Sequence, residues 1–206
     1  MGNSAVICPA DEIGLARAVE VIVHGGVIAF PTDTVYGLGC DLFHAGAVER
    51  IYAIKGRPAR LPLIAMFAEI EQWPRVAAAL PKMARVFMDR WWPGPLTLIV
   101  PARADIPARV LGSGTTIGMR IPDFAVARQL LRLVDRPLAT TSANRSGQPA
   151  GCTANEVAES LGDAVDLILD GGPSPQGVAS TVVDCTTNPP TVLREGPITR
   201  EMLGVG

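Results

Sequence analysis

Short apolar runs alternate with helix-periodic segments along almost the whole chain, and this alternation limits the possible folds more than any other feature of the sequence. Residues 27–30, for example, form an apolar run of strand length that Pro31 ends. Strands interleaved with helices favour an α/β fold with a mixed sheet flanked by helices. The predicted strands are 5–8, 27–30, 62–66, 96–100, 116–121, 137–141, 166–169, 180–184 and 191–193, and later helices are predicted at 45–54, 69–80, 82–91, 125–133 and 154–161.

The first helix has recognisable start and stop residues. Asp11 is suited to cap its N-terminus, and Gly25 and Gly26 end it. Apolar residues recur inside this segment at helical spacing. The predicted buried face consists of Ile13, Ala16, Val19, Ile22 and Val23.

Chain length and charge limit the class of protein. With 206 residues, of which 48% are hydrophobic, the chain is predicted to form one domain over residues 1–206. The 18 basic and 20 acidic residues leave a net charge of −2. A chain-wide basic field for nucleic acid is therefore excluded, whereas a local basic patch is not.

The cysteine pattern and the hydropathy indicate in which compartment of the cell the protein is found. Cys8, Cys40, Cys152 and Cys185 form no C-x-x-C pair, which favours reduced thiols over a zinc framework or a disulfide scaffold. No stretch approaches the about 20 apolar residues that span a bilayer. We therefore expect a cytoplasmic protein that does not associate with membranes.

Several common catalytic motifs are missing from the sequence. It has two histidines, no G-x-S-x-G and no H-E-x-x-H, which disfavours the usual hydrolase and zinc-peptidase chemistries. It also lacks G-x-x-x-x-G-K-[ST] and a complete G-x-G-x-x-G. Walker-type and Rossmann-type nucleotide sites are therefore disfavoured, and no protein-held metal is predicted.

Cationic side chains cluster where the second predicted helix ends. Lys55 and Arg57 stand on either side of Gly56, and Pro58 turns the chain out of the helix. Lysine is scarce in this chain, and its compact charge suits a phosphate. The alternative is a solvated helix end, where cations are favoured by the helix dipole.

Two further segments carry polar groups at strand ends. Residues 140–147 place hydroxyls and an amide after an apolar strand, where open α/β sheets commonly bind ligands. The alternative is a turn that satisfies its own backbone. Arg120 lies in an otherwise apolar strand and needs an anion, either a bound ligand or an acid such as Asp123.

Taken in order, these segments resemble the YrdC-like family, whose best-known members are threonylcarbamoyl-AMP synthases. The resemblance spans nearly the whole chain, and its most specific part is the K-x-R and S-x-N pair. It implies a twisted mixed sheet with a concave basic cavity, in the short form that lacks a further C-terminal domain. The matching segments are 25–39, 55–58, 92–97, 118–122, 142–147, 180–184 and 194–196.

The resemblance also implies an activity and a set of site residues. The activity is nucleotidyl transfer from ATP to threonine and bicarbonate, with Mg²⁺ accompanying ATP, for the t6A modification of tRNA. Contact with tRNA and with the downstream t6A transfer machinery follows as a further expectation. The resemblance assigns threonine binding to Thr34, Arg120, Thr140 and Ser180, ATP binding to Lys55, Arg57, Thr116, Ser142, Asn144 and Arg194, and the catalytic roles to Lys55 and Arg57.

Three positions depart from the family pattern. Leu61 stands where an ATP-contacting Asn is usual, Met66 where a threonine-contacting His is usual, and Ala150 where a hydroxyl residue is common. Leucine and methionine side chains cannot make the hydrogen bonds of Asn and His. A YciO-like paralogue with an altered substrate therefore stays open as an alternative. A second alternative, suggested by the cluster of basic residues around Arg57, is a non-catalytic RNA-binding module.

Overall fold

The computed structural model describes residues 6–205. Its strands are β1 (Val6–Pro9), β2 (Ile28–Phe30), β3 (Gly37–Asp41), β4 (Ile64–Met66), β5 (Leu96–Pro101), β6 (Thr116–Arg120), β7 (Leu138–Ser142), β8 (Leu167–Asp170), β9 (Thr181–Asp184) and β10 (Thr191–Arg194). Its α-helices are α1 (Glu12–Val23), α2 (Ala45–Lys55), α3 (Lys82–Trp91), α4 (Ala108–Leu111), α5 (Ala125–Val134), α6 (Ala154–Leu161) and α7 (Arg200–Leu203). Ala5, which was predicted to open the first strand, lies outside the described residues.

The strands form a single mixed sheet in the order β1-β8-β2-β3-β7-β4-β6-β5-β9-β10. Pairings of β1 with β8, β8 with β2, β4 with β6 and β5 with β9 are parallel, and the others are antiparallel. The predicted α/β architecture with a mixed sheet flanked by helices is confirmed.

The two faces of the sheet are covered unequally. Helices α1 and α5 pack on one face, over the half of the sheet that contains β8, β2 and β7. The other face is covered by α2, α3, α4, α6 and α7, which share the larger hydrophobic core. In β6, Ile117 and Met119 enter this larger core, so Gly118 and Arg120 point to the opposite face, where α1 and α5 do not reach. This uncovered half-face is where a cavity forms.

The sequence predictions missed the short helices α4 and α7, and they were wrong in three further places. Strand β3 was missed because Gly37 and Gly39 weaken the strand pattern; a Cβ at Gly39 would lie 3.0 Å from the Phe30 ring, so glycine leaves room for that ring. Residues 69–80 contain only a 3₁₀ helix, Ile70–Arg75, which carries Pro74. The buried face of α1 is formed by Gly14, Leu15, Ala18 and Ile22.

The ends of α1 were predicted correctly. The Asp11 carboxylate accepts a hydrogen bond from the Gly14 amide at 2.8 Å, and Gly25 has a φ of +78° just beyond the helix. Within residues 6–205, no helix is long and apolar enough to cross a membrane.

Candidate active site

A cavity of about 340 Å³ opens on the uncovered half-face of the sheet. Residues of several sequence-distant strands line it, together with the segments that follow β2 and α2. Seven of the ten site residues predicted from the sequence take part in this lining, namely Thr34, Arg57, Arg120, Thr140, Ser142, Ser180 and Arg194.

Arg120 is held at the inner end of this cavity by three protein groups. Its guanidinium donates to the Asp33 carboxylate at 2.5 Å, to the Thr34 hydroxyl at 2.9 Å and to the Gly94 carbonyl at 2.9 Å. Both members of the Arg120–Asp33 ion pair are buried. Burial lowers the pKa of Arg120, and Asp33 opposes this by favouring the charged form. The acid that Arg120 needs is therefore Asp33, not Asp123, and two of its five N–H groups remain available to a ligand.

Ser180 and Arg194 form a second polar group in the cavity wall. The Ser180 hydroxyl lies 2.8 Å from the Thr97 hydroxyl, and Arg194 donates to the Ser180 carbonyl through Nε at 3.0 Å and Nη2 at 2.8 Å. Burial lowers the pKa of Arg194. Arg194 is nevertheless an exposed residue, and its charge has no carboxylate partner among the described residues, so it can pair with an anion bound in the cavity.

Arg57 enters the cavity from the segment that follows α2. Its guanidinium donates to the carbonyls of Leu61 at 3.2 Å and Pro62 at 2.8 Å, which orients it without neutralising it. Burial lowers the pKa of Arg57 as well. Within residues 6–205 this arginine also lacks a carboxylate partner. The basic field predicted for the cavity stays a prediction.

Lys55 and Asn144 lie beside the cavity and do not line it. Lys55 is 3% exposed, and its ammonium donates to the Ser142 carbonyl at 2.5 Å and the Asn144 carbonyl at 2.6 Å. Burial and then the neighbouring Arg57 charge lower the pKa of Lys55 to about 8, while these hydrogen bonds favour the charged form. The K-x-R and S-x-N segments are thus brought into direct contact.

Thr116 is also outside the lining. It stands on the same face of β6 as Gly118 and Arg120 but at the start of the strand, paired with Pro101. Its predicted contact with ATP stays a prediction.

The three departures from the family pattern occupy different places. Met66 is buried and lines the cavity beside Ile64, which makes this part of the wall apolar. The Leu61 side chain is exposed at 37% and does not line the cavity. Ala150 is half-buried and also lies outside the lining.

Sequence reasoning missed two residues that shape this site. Asp33, the partner of Arg120, stands between two threonines shortly after a buried strand. A carboxylate at that position is a sequence signal for a site residue. Gly118 lines the cavity floor, where a Cβ would lie 2.9 Å from Ile64 Cγ2 and 3.2 Å from Thr97 Cγ2. No pattern in the sequence marks this glycine as part of a floor.

No metal site accompanies the cavity in the described part of the chain. There, no group of three or more His, Cys, Asp or Glu side chains could hold an ion. A more open cavity of about 450 Å³ contains Arg75, Arg103 and Arg136, but each of these arginines is paired with an aspartate. An anion in this second cavity would therefore find no arginine that lacks a carboxylate partner.

The buried ammonium of Lys55 predicts a pH dependence of stability. An unfolded lysine titrates near 10.5, and the folded one near 8. Between these pH values the unfolded chain binds more protons, so the free energy of unfolding gains a contribution that grows with pH. We expect the free energy of unfolding of wild type, minus that of Lys55→Met, to rise as pH increases from about 8 to about 10.5. Urea unfolding across this range measures the difference, and a flat or falling difference would contradict the assignment.

Comparison with known proteins identifies relatives over most of the chain. The Sua5/YciO/YrdC family model, described as "Telomere recombination", matches residues 20–196. Threonylcarbamoyl-AMP synthases of Pyrococcus abyssi and Bacillus subtilis are each 42% identical, over 93% and 92% of this chain. These matches cover 56% and 55% of the two relatives, so the chain spans about half of their length.

Solved structures show the same fold. P. abyssi Sua5 complexed with L-threonine aligns with a TM-score of 0.91 and 40% identity, over 96% of this chain and 58% of that one. YciO of E. coli aligns with a TM-score of 0.84 and 30% identity, over 96% of this chain and 98% of that one. The predicted resemblance is confirmed by these matches in sequence and in structure. This chain belongs to the Sua5/YciO/YrdC family.

Proposed function

We propose that this chain is a threonylcarbamoyl-AMP synthase, which forms threonylcarbamoyl-AMP and pyrophosphate from L-threonine, bicarbonate and ATP. The observation that carries the proposal is the convergence of residues 34, 57, 120, 140, 142, 180 and 194 on one cavity. The relatives described above include synthases and a threonine-bound structure. In this proposal the product serves tRNA t6A modification in the cytoplasm.

The inner end of the cavity suits an amino acid. Arg120 has free N–H groups for a carboxylate, and the hydroxyls of Thr34, Thr140 and Ser180 can bond the polar groups of threonine. Met66 adds apolar wall against which the threonine methyl can pack. The polar part of this wall therefore matches the carboxylate and the other polar groups of threonine, and the apolar part matches its methyl group.

Two cations of the cavity suit the phosphates of ATP. Arg57 and Arg194 carry charges that no described carboxylate neutralises, and Ser142 adds a hydroxyl to the same cavity lining. No carboxylate is part of the described cavity lining, so Mg²⁺ would enter as part of the ATP substrate and would neutralise phosphate charge there.

The reaction needs no strong protein base. The ammonium group of threonine first releases a proton to solvent. The neutral amine and bicarbonate then form a carbamate, and one amine hydrogen leaves with the bicarbonate hydroxyl as water. A carbamate oxygen then bonds to the α-phosphorus of ATP, and the bond from that phosphorus to the bridging oxygen breaks as pyrophosphate departs. Because the attacking group is already anionic, alignment and neutralisation of phosphate charge are the contributions required of Arg57 and Arg194.

The two alternatives receive less support. The YciO structure is 30% identical, compared with 42% for the two synthases, and the chain retains both K-x-R and S-x-N. An RNA-binding module would need a basic surface, and the net charge of −2 and the paired arginines of the second cavity disfavour one.

Pyrophosphate release tests the proposal. We expect release from Mg-ATP to require both L-threonine and bicarbonate, and mass spectrometry to detect threonylcarbamoyl-AMP. L-serine, which lacks the methyl group, should be about tenfold or more poorer in kcat/KM. ATP turnover that is the same with and without threonine would overturn the proposal, and a preference for another amino acid would favour the paralogue.

Filling the floor of the cavity should block threonine. Gly118→Val places a side chain between Ile64 and Thr97, where it meets the Cγ2 methyl groups of two β-branched side chains rather than backbone atoms. We expect the variant to fold, at a cost of about 1–3 kcal/mol in unfolding free energy, and to bind L-threonine at least about tenfold more weakly. Titration calorimetry measures the affinity, and Gly46→Ala, in helix α2 and away from the cavity, is the control. Unchanged affinity in Gly118→Val would place threonine elsewhere.

A further inference from the structure

The two most specific segments of this chain meet through the Lys55 side chain. Lys55 is the last residue of α2, and Gly56 caps that helix in the left-handed conformation. The Lys55 ammonium donates to the Ser142 carbonyl at 2.5 Å, the Asn144 carbonyl at 2.6 Å and the Asn144 side-chain oxygen at 3.3 Å. A lysine ammonium has three N–H groups. Each of them therefore has an acceptor within the protein, and none is left for a phosphate.

Asn144 is committed in the same way. Its amide nitrogen donates to the Arg145 carbonyl at 2.9 Å and the Gln148 carbonyl at 2.6 Å, while its oxygen accepts from Lys55. A side-chain amide has two N–H donors, so both are used. Asn144 is 6% exposed and does not line the cavity.

The backbone strengthens this contact. The Ser146 amide donates to the Lys55 carbonyl at 2.8 Å, and the Ala143 amide donates to the Tyr36 carbonyl at 2.8 Å. Lys55 thus holds the segment 142–148 through both its side chain and its carbonyl. We call the buried contact of Lys55 with Asn144 the Lys55–Asn144 clamp.

The remaining member of each motif faces the cavity. Arg57 follows Lys55 by two residues, Ser142 precedes Asn144 by two, and both line the cavity. We propose that Lys55 and Asn144 are positioning residues, which hold the 142–148 segment against the end of α2 so that Arg57 and Ser142 reach the nucleotide, and that neither clamp residue touches the nucleotide itself. The identity of that nucleotide as ATP rests on the proposed function.

Hydrogen exchange without any ligand tests the clamp. In Lys55→Met and in Asn144→Ala we expect amides 143–148, Ser146 above all, to exchange at least about tenfold faster than in wild type. The variants remove the side-chain hydrogen bonds that hold this segment against α2, so its backbone hydrogen bonds open more often. Lys82→Met is the matched control, since Lys82 is the other lysine of the chain and is exposed. A lysine that served only as a phosphate ligand would leave these amides unchanged in the free protein.

Kinetics in a double-mutant cycle test the positioning role. Each single variant should raise KM for ATP by about tenfold, and the double variant Lys55→Met/Asn144→Ala should raise it by about the same factor, because both remove one unit. A residue that only stabilised the fold would leave KM unchanged in the folded protein. Lys82→Met should match wild type.

Two results would overturn the clamp. One is unchanged exchange at 143–148 in both single variants, and the other is multiplication of the two KM effects, which indicates separate contacts with ATP. If Lys55→Met does not fold, Asn144→Ser and Asn144→Ala give the exchange comparison instead. Failure of the wild type to bind ATP would contradict the proposed function, and the exchange result would still decide the clamp.

Discussion

Asp33→Ala is expected to lower the free energy of unfolding by about 3–5 kcal/mol, because it leaves the buried charge of Arg120 without its partner. Both side chains of this pair are 3% exposed, so solvent screens the remaining charge only weakly. The Thr34 hydroxyl and the Gly94 carbonyl remain as hydrogen-bond acceptors, but neither carries a charge. Urea unfolding followed by tryptophan fluorescence measures the change.

Two further variants separate the lost charge from lost packing. Asp89→Ala removes an exposed ion pair with Arg85 in helix α3, and it should change the free energy of unfolding by about 0.5 kcal/mol or less. Arg120→Met in the Asp33→Ala background removes the unpaired charge and should recover part of the lost stability. If Asp33→Ala costs no more than Asp89→Ala, the ion pair does not hold this end of the cavity.

Arg57→Ala is expected to lower kcat/KM for ATP by about 10²-fold, because under the proposed function it removes a preorganised cation that neutralises phosphate charge. Arg57 is oriented by the carbonyls of Leu61 and Pro62, so its position does not depend on the ligand. The control is Arg60→Ala, since Arg60 is exposed, lies in the same segment and does not line the cavity. Pyrophosphate release at varied ATP measures both variants. Equal kinetics in Arg57→Ala and wild type would remove Arg57 from the site.

Much of this fold follows from local pattern. The strand and helix alternation predicts the mixed sheet, and Asp11 and Gly25 mark the ends of α1, because capping and turn conformations depend on neighbouring residues. The buried face of α1 was less predictable. Ile13 belongs to an apolar set that fits helical spacing, yet it is 72% exposed while Leu15 is buried. Which of two apolar stripes is covered depends on how the helix docks on the sheet.

The candidate site was predictable as a set of residues but not as a set of contacts. The motifs identify Lys55, Arg57 and Ser142 as one group, and the structure brings them together. The direction of the Lys55 side chain depends on carbonyls 87 and 89 residues away, which no local pattern specifies. Asp33 is similar, because its partner Arg120 lies 87 residues further along the chain.

The most direct test of the account is a calorimetric titration of the wild-type protein with L-threonine and Mg-ATP, first separately and then together. If one cavity holds both substrates, each should bind with a stoichiometry near one, Gly118→Val should weaken the threonine isotherm, and Arg57→Ala should weaken the ATP isotherm. Absence of threonine binding by wild type, with ATP present or absent, would contradict the claim that this cavity is shaped for an adenylated threonine carbamate.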